Sequence, residues 1–226
     1  MATKVCVTIA VSNPKKMVRY LRDTLAESDY AELRLDFLKP SRIPFCLTLA
    51  KKYLDRCICT LRPITEGGRF TGTEKERILI LKLIAEFDPY LLDIEYNTLK
   101  NSQELQKYLS SRKSNILVSW HNFVKTPDEQ YLKVMLKKMS KFSKNIKIVT
   151  TARSIRDTIQ ILSLYKIKTK RINLVSFAMG DYGRVSRILC TKLGSPYTYV
   201  SLGKPVAPGQ FSLKEMKDIQ RLEDKK

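Results

Sequence analysis

The sequence predicts an α/β fold, a single (β/α)8 TIM barrel with short loops. Short β-rich apolar runs alternate with longer amphipathic stretches along the whole chain. Strict alternation of this kind calls for parallel strands joined by crossover helices. Eight strand–helix units fit into 226 residues, slightly below the ~250 residues typical of this architecture. No Pro/Gly/Ser linker, low-complexity tract or repeat interrupts them, so residues 1–226 read as one domain. An open doubly wound sheet is the alternative topology.

The predicted strands are Lys4–Ala10, Tyr30–Leu38, Cys57–Arg62, Tyr90–Tyr96, Asn115–Phe123, Ile146–Ala152, Ile172–Ala178 and Tyr197–Leu202. Pro14–Glu27 reads as a helix capped by Asn13, followed by Ile43–Leu54. Glu74–Phe87 follows Thr73, and Leu99–Arg112 follows Asn97 and Thr98. Pro127–Phe142 is expected to use Thr126 as its cap and Pro127 as its first residue. Ser154–Tyr165 carries Asp157 in its first turn. Gly183–Leu193 ends at Gly194, and Leu213–Leu222 follows Ser212.

Composition narrows the class. A hydrophobic content of 43% is too high for a disordered chain. No apolar run approaches the ~18–20 residues of a membrane span. MATKVCVTIAV enters a strand pattern at once, so no signal peptide is expected. Cys6, Cys46, Cys57, Cys59 and Cys190 lack zinc-site spacing, and the chain has one His. Sparse thiols point to a reducing, cytoplasmic compartment. The net charge of +20 raises nucleic-acid binding as a hypothesis. Between Lys100 and Arg171 there are 17 basic residues against 4 acidic ones. Solvated lysine-rich helix faces account for that better than a dedicated nucleic-acid surface does.

Several strands carry charges where a packed core would exclude them. In Glu32-Leu33-Arg34-Leu35-Asp36-Phe37, period two puts Glu32, Arg34 and Asp36 on one face. If the apolar set faces the helices, three charges point inward, where they must pair or serve a ligand. Asp93 and Glu95, His121 after Ser119-Trp120, and Lys147 within Ile146–Val149 extend the pattern to three more strands. Active sites of this architecture lie at the C-terminal ends of the strands. Arg62-x-x-x-Glu66-Gly67-Gly68 follows the third strand, and its glycines permit positive φ and close backbone approach. The loop Gly203–Gln210 follows the eighth strand and could serve as a lid.

Lys147 and His121 suggest a chemistry. Apolar flanks around Lys147 favour the neutral amine. A neutral amine attacks a ketone to form an imine, an electron sink that acidifies the neighbouring C–H bond. That proton needs a base, and His121 is the only histidine. Lys144 is the competing nucleophile, but it precedes the strand in a polar loop.

At these residues the sequence resembles the type I 3-dehydroquinate dehydratases. The resemblance is carried by Glu32-Leu-Arg-Leu-Asp36, Thr60-Leu-Arg-Pro-Ile-Thr-Glu-Gly-Gly68, Asp93-Ile-Glu95, Ser119-Trp-His-Asn-Phe123, Ile146-Lys-Ile148, Met179-Gly-Asp-Tyr-Gly-Arg-Val-Ser-Arg187 and Ala207-Pro-Gly-Gln210. Their order and spacing, from Val5 to about Ser212, are more specific than any one segment. The resemblance implies a (β/α)8 barrel that dehydrates 3-dehydroquinate through a lysine Schiff base in the shikimate pathway. It implies that Lys147 forms the imine, that His121 is base and then acid, and that Glu66 orients His121. It assigns the substrate carboxylate to Arg187. Ring hydroxyls and pocket shape fall to Glu32, Arg34, Arg62 and Gln210. It implies closure of the 203–210 loop, a homodimer, and no metal or diffusible cofactor. One departure stands out. Val206 occupies the position before Ala-Pro-Gly-Gln where many members carry a hydroxyl residue, which should alter affinity or lid dynamics. Two alternatives stay open here: a Schiff-base aldolase on the same barrel, and a basic nucleic-acid-binding protein.

Overall fold

The computed structural model describes residues 3–223. Eight strands form one sheet in the order β7-β6-β5-β4-β3-β2-β1-β8. They are β1 (Val5–Ile9), β2 (Tyr30–Arg34), β3 (Cys57–Thr60), β4 (Leu91–Glu95), β5 (Ile116–Asn122), β6 (Asn145–Thr151), β7 (Asn173–Met179) and β8 (Thr198–Ser201). The helices are α1 (Pro14–Leu25), α2 (Ile43–Ala50), α3 (Glu74–Ala85), α4 (Tyr96–Asn101), α5 (Gln103–Ser111), α6 (Glu129–Met139), α7 (Ile155–Leu162), α8 (Leu164–Ile167), α9 (Ser186–Lys192) and α10 (Leu213–Glu223). The fold class is the (β/α)8 TIM barrel, as the alternation predicts.

Two compact units make up the chain, one of residues 9–118 and one of residues 3–8 with 119–223. In the first, β2, β3 and β4 pair in parallel register, with Arg34 opposite Thr60 and Thr60 opposite Asp93. This lines up the polar ends of three strands. Helix α1 buries Met17, Leu21 and Leu25, and the Met17 sulfur accepts from the Cys46 thiol of α2 at 3.6 Å. In the second, β6 pairs with β7 and β1 with β8, also in parallel. Val5, Val7, Val200, Phe211 and Met216 form a core cluster that seats α10 against the β1–β8 pair.

The caps explain most helix starts. Asn13 accepts from the Lys16 amide, and Thr73 and Ser154 form capping boxes with Glu76 and Asp157. Three expectations need correction. First, α6 starts at Glu129 with Asp128 as its cap, because the Thr126 hydroxyl bonds the Thr150 hydroxyl at 2.8 Å instead. Second, Leu99–Arg112 is not one helix. Ser102 has extended backbone and caps a separate α5 by accepting from the Leu105 amide. Third, β2 stops at Arg34, and Leu35–Phe37 turns as a 3-10 segment. Asp36 therefore leaves the strand face, and its carboxylate returns to clamp Arg34.

Candidate active site

The residues singled out from sequence fall into two clusters, one in each unit. The cluster in residues 9–118 is a ladder of ion pairs. Arg34 binds Asp36 bidentately, Nε to Oδ1 at 2.8 Å and Nη2 to Oδ2 at 2.7 Å. Glu32 is buried, and its Oε1 accepts from the Thr60 hydroxyl at 3.0 Å. Asp93 and Glu95 stand two apart on β4, so they share a face. Arg62 reaches both, Nη2 to Asp93 Oδ2 and Nη1 to Glu95 Oε1, each at 2.7 Å. This gives the inward charges the partners that burial demands.

Glu66 sits on a 3-10 turn, Ile64–Glu66, that ends in Gly67 at φ 73°. The next residue must also be glycine, because a Cβ on Gly68 would lie 2.0 Å from the Arg62 carbonyl oxygen. The two glycines fold the loop back onto the end of β3, with Phe70 N donating to Arg62 O at 3.2 Å. Burial pushes the Glu66 carboxyl up to about 7; Arg62 and Arg77 pull it down, while Glu95 and Asp93 push it up. A carboxyl held there can carry or release a proton near neutrality.

The second cluster holds Lys147, His121, Arg187 and Gln210. Lys147, third residue of β6, is 6% exposed, whereas Lys144 is exposed. The Lys147 Nζ lies 4.1 Å from the centroid of the Tyr199 ring on β8. Tyr199 meets Phe177 of β7 edge-on at 6.4 Å, and Arg187 of α9 lies 4.3 Å over Phe177. An amine, two aromatic rings and a guanidinium thus form one continuous run of contacts. His121 lies near the end of β5, partly exposed, its ring stacked 5.9 Å from Phe123.

Arg187 differs from the other buried arginines. It is 1% exposed, and its one hydrogen bond among the described residues is Nη2 to Pro208 O at 3.2 Å; Nε has no acceptor. Among the described residues no carboxylate pairs with it, and burial lowers its pKa to about 10. The Pro208 contact ties it to the 203–210 loop. Gln210 braces that loop from within, accepting from Val206 N at 2.9 Å and donating to the Thr8 hydroxyl at 3.3 Å. Val206 therefore contributes its backbone to the loop's internal bonding.

Sequence reasoning missed Arg77, Phe177 and Tyr199. Arg77 had a signal: it stands at helical spacing with Leu81, Ile84 and Ala85, on the buried face of α3. The two aromatics had none, since large rings in strands are ordinary core residues. Among the described residues no cluster of His, Cys, Asp or Glu could hold a metal ion. No helix among them is long and apolar enough to cross a membrane.

The (β/α)8 scaffold thus buries Lys147 together with Arg187, which meets no carboxylate among the described residues. The model of the type I 3-dehydroquinase family matches residues 5–226. The 3-dehydroquinate dehydratase of Dehalococcoides mccartyi is 43% identical over 196 residues, covering 85% of each chain. That of Methanocaldococcus jannaschii is 32% identical over 225 residues, covering 98% of this chain and all of the relative. The solved 3-dehydroquinate dehydratase of Aquifex aeolicus superposes with a TM-score of 0.79 at 25% identity, covering 97% and 98%. The chain belongs to the type I 3-dehydroquinase family.

Proposed function

We propose that the protein is a 3-dehydroquinate dehydratase, a carbon–oxygen lyase of the shikimate pathway acting through a lysine imine. One observation carries the site assignment: the buried Lys147 amine and the buried Arg187 guanidinium, the latter with no carboxylate partner among the described residues, lie on one run of aromatic contacts. A ketone that also bears a carboxylate satisfies both.

In this reading the Lys147 amine attacks the C3 ketone, and loss of water leaves a protonated imine. The Tyr199 ring face suits that cation. His121 takes a proton from C2, and the C–H electron pair moves into an enamine. The C1 hydroxyl then leaves as water, protonated by the same imidazolium, and the enamine electrons form the C1–C2 double bond. A second water hydrolyses the imine and frees Lys147. Glu66 orients His121. Arg187 holds the carboxylate, a task its planar fork suits. Glu32, Arg34, Arg62 and Gln210 shape the pocket for the ring hydroxyls. The lysine itself is the electron sink, so the reaction calls on no metal or diffusible cofactor, and residues 1–226 act as one catalytic domain.

Reduction with borohydride in the presence of dehydroquinate should trap one adduct on the peptide containing Lys147, and Lys147→Ala should lose both trapping and turnover. An adduct on Lys144, or normal turnover in Lys147→Ala, refutes the assignment.

We further propose a homodimer in a reducing, cytoplasmic setting. Its support is an apolar face on three neighbouring helices: Tyr131 and Val134 of α6, Ile155 and Ile159 of α7, and Leu189 of α9 are all exposed. Ile159→Asp should shift sedimentation toward the monomer.

A further inference from the structure

Arg77 is buried and joins exposed Glu74 to a buried ion-pair network, a place that no assigned role explains. All five of its N–H donors are used. Nε and Nη2 bind Glu74 at 2.8 and 2.9 Å, and Nη2 also reaches the Thr98 hydroxyl. Nη1 binds Glu95 Oε2 at 2.6 Å and the Leu61 carbonyl at 3.1 Å. Glu95 is therefore shared: one oxygen goes to Arg77, the other to Arg62. Leu61 is the residue just before Arg62, so Arg77 grips both the backbone entering Arg62 and the carboxylate that aims its side chain. The run Asp93–Arg62–Glu95–Arg77–Glu74 alternates in sign. It is buried from Asp93 to Arg77 and reaches solvent at Glu74, so removing one of its buried charges leaves a buried neighbour mismatched.

The network also borders a cavity of about 310 Å³, whose wall includes Glu66, Arg77, Glu95, Asn97 and Thr98. Arg77 thus stands behind two residues assigned to the reaction, Arg62 and Glu66, without belonging to either's loop.

We propose that Arg77 is a positioning residue: by clamping Glu95 and the Leu61 carbonyl it fixes the Arg62 guanidinium in the orientation that meets substrate. This rests on the assignment of Arg62 to the substrate pocket. A lysine at this position has three donors on a single nitrogen and cannot span Glu74, Glu95, Thr98 and Leu61 together.

The test is a double-variant cycle on the full chain. Steady-state kcat/KM and thermal unfolding are measured for wild type, Arg62→Met, Arg77→Met and the double variant. If Arg77 acts through Arg62, Arg77→Met lowers kcat/KM at least about tenfold in the wild-type background and less than about twofold in the Arg62→Met background. Its cost in Tm should persist in both backgrounds. Arg77→Lys should recover Tm more fully than kcat/KM, and it replaces Arg77→Met in the cycle if that variant does not fold. An equal fold-loss in both backgrounds, or a folded Arg77→Met with wild-type kcat/KM, overturns the proposal while leaving Arg62 in place. Wild-type kcat/KM in Arg62→Met overturns the substrate assignment and this inference together.

Discussion

Replacing Arg187 with Met should make the protein more stable and nearly inactive. Burial lowers the Arg187 pKa to about 10, a drop from the ordinary arginine value that corresponds to a cost of about 3 kcal/mol for keeping it protonated at pH 7. The Pro208 carbonyl and the Phe177 ring return about 1 kcal/mol each. Methionine fills similar space without a charge, so a net gain of about 1 kcal/mol is expected, about 2–4 °C in Tm for a chain of this size. The sign with pH follows from the lowered folded-state value. The penalty is fully present below about pH 10 and fades as pH rises from there toward the ordinary arginine value, so the gain from methionine should shrink over that window. Against this, losing the carboxylate's partner should cost about 2–4 kcal/mol in transition-state binding, roughly 30- to 1000-fold in kcat/KM. Thermal unfolding of the empty protein and steady-state kinetics read the two effects separately. A variant that unfolds at lower temperature yet keeps wild-type kcat/KM would show that Arg187 is a structural arginine and that the anion-site argument is wrong.

Glu66→Gln should unfold like wild type near pH 4.5 and be more stable at pH 8. The raised folded-state pKa, about 7, makes the wild-type carboxylate a growing penalty as pH climbs through that range. Melts across pH check this, and the same variant should lose turnover if Glu66 orients the histidine. Gly68→Ala should lower both Tm and kcat, because its Cβ would meet the Arg62 backbone at 2.0–2.4 Å, where no flexible side chain can yield. The five cysteines should stay silent to a thiol reagent until the protein unfolds. All are buried, and burial pushes Cys46 up to about 12 and Cys190 up to about 11. Thr73→Ala should cost about 1 kcal/mol by opening the capping box at the start of α3.

How much was legible in the chain itself varied by element. Asn13, Thr73 and Ser154 announce their helices because a cap is a local hydrogen bond, made within three residues. Thr126 carried the same letters and misled, since a partner on β6 outcompeted the local amide. Asp36 followed the period-two pattern and still left the strand, because the bidentate pair with Arg34 needs the chain to turn. The Gly67–Gly68 pair was readable as a close approach, although which backbone it approaches was not.

The sequence by itself determined the α/β alternation, the eight units and the short roster of residues with chemistry to offer. Periodicity and capping are properties of neighbouring residues, and the family's ordered motifs are carried in the letters. Tertiary structure decided which arginines meet carboxylates and which does not. Arg34, Arg62, Arg77 and Arg187 look alike along the chain. Three of them meet carboxylates, and among the described residues Arg187 meets a carbonyl and a phenyl ring. That difference rests on pairings among strands and helices distant in sequence, where desolvation makes each buried charge depend on what lies within about 3 Å of it.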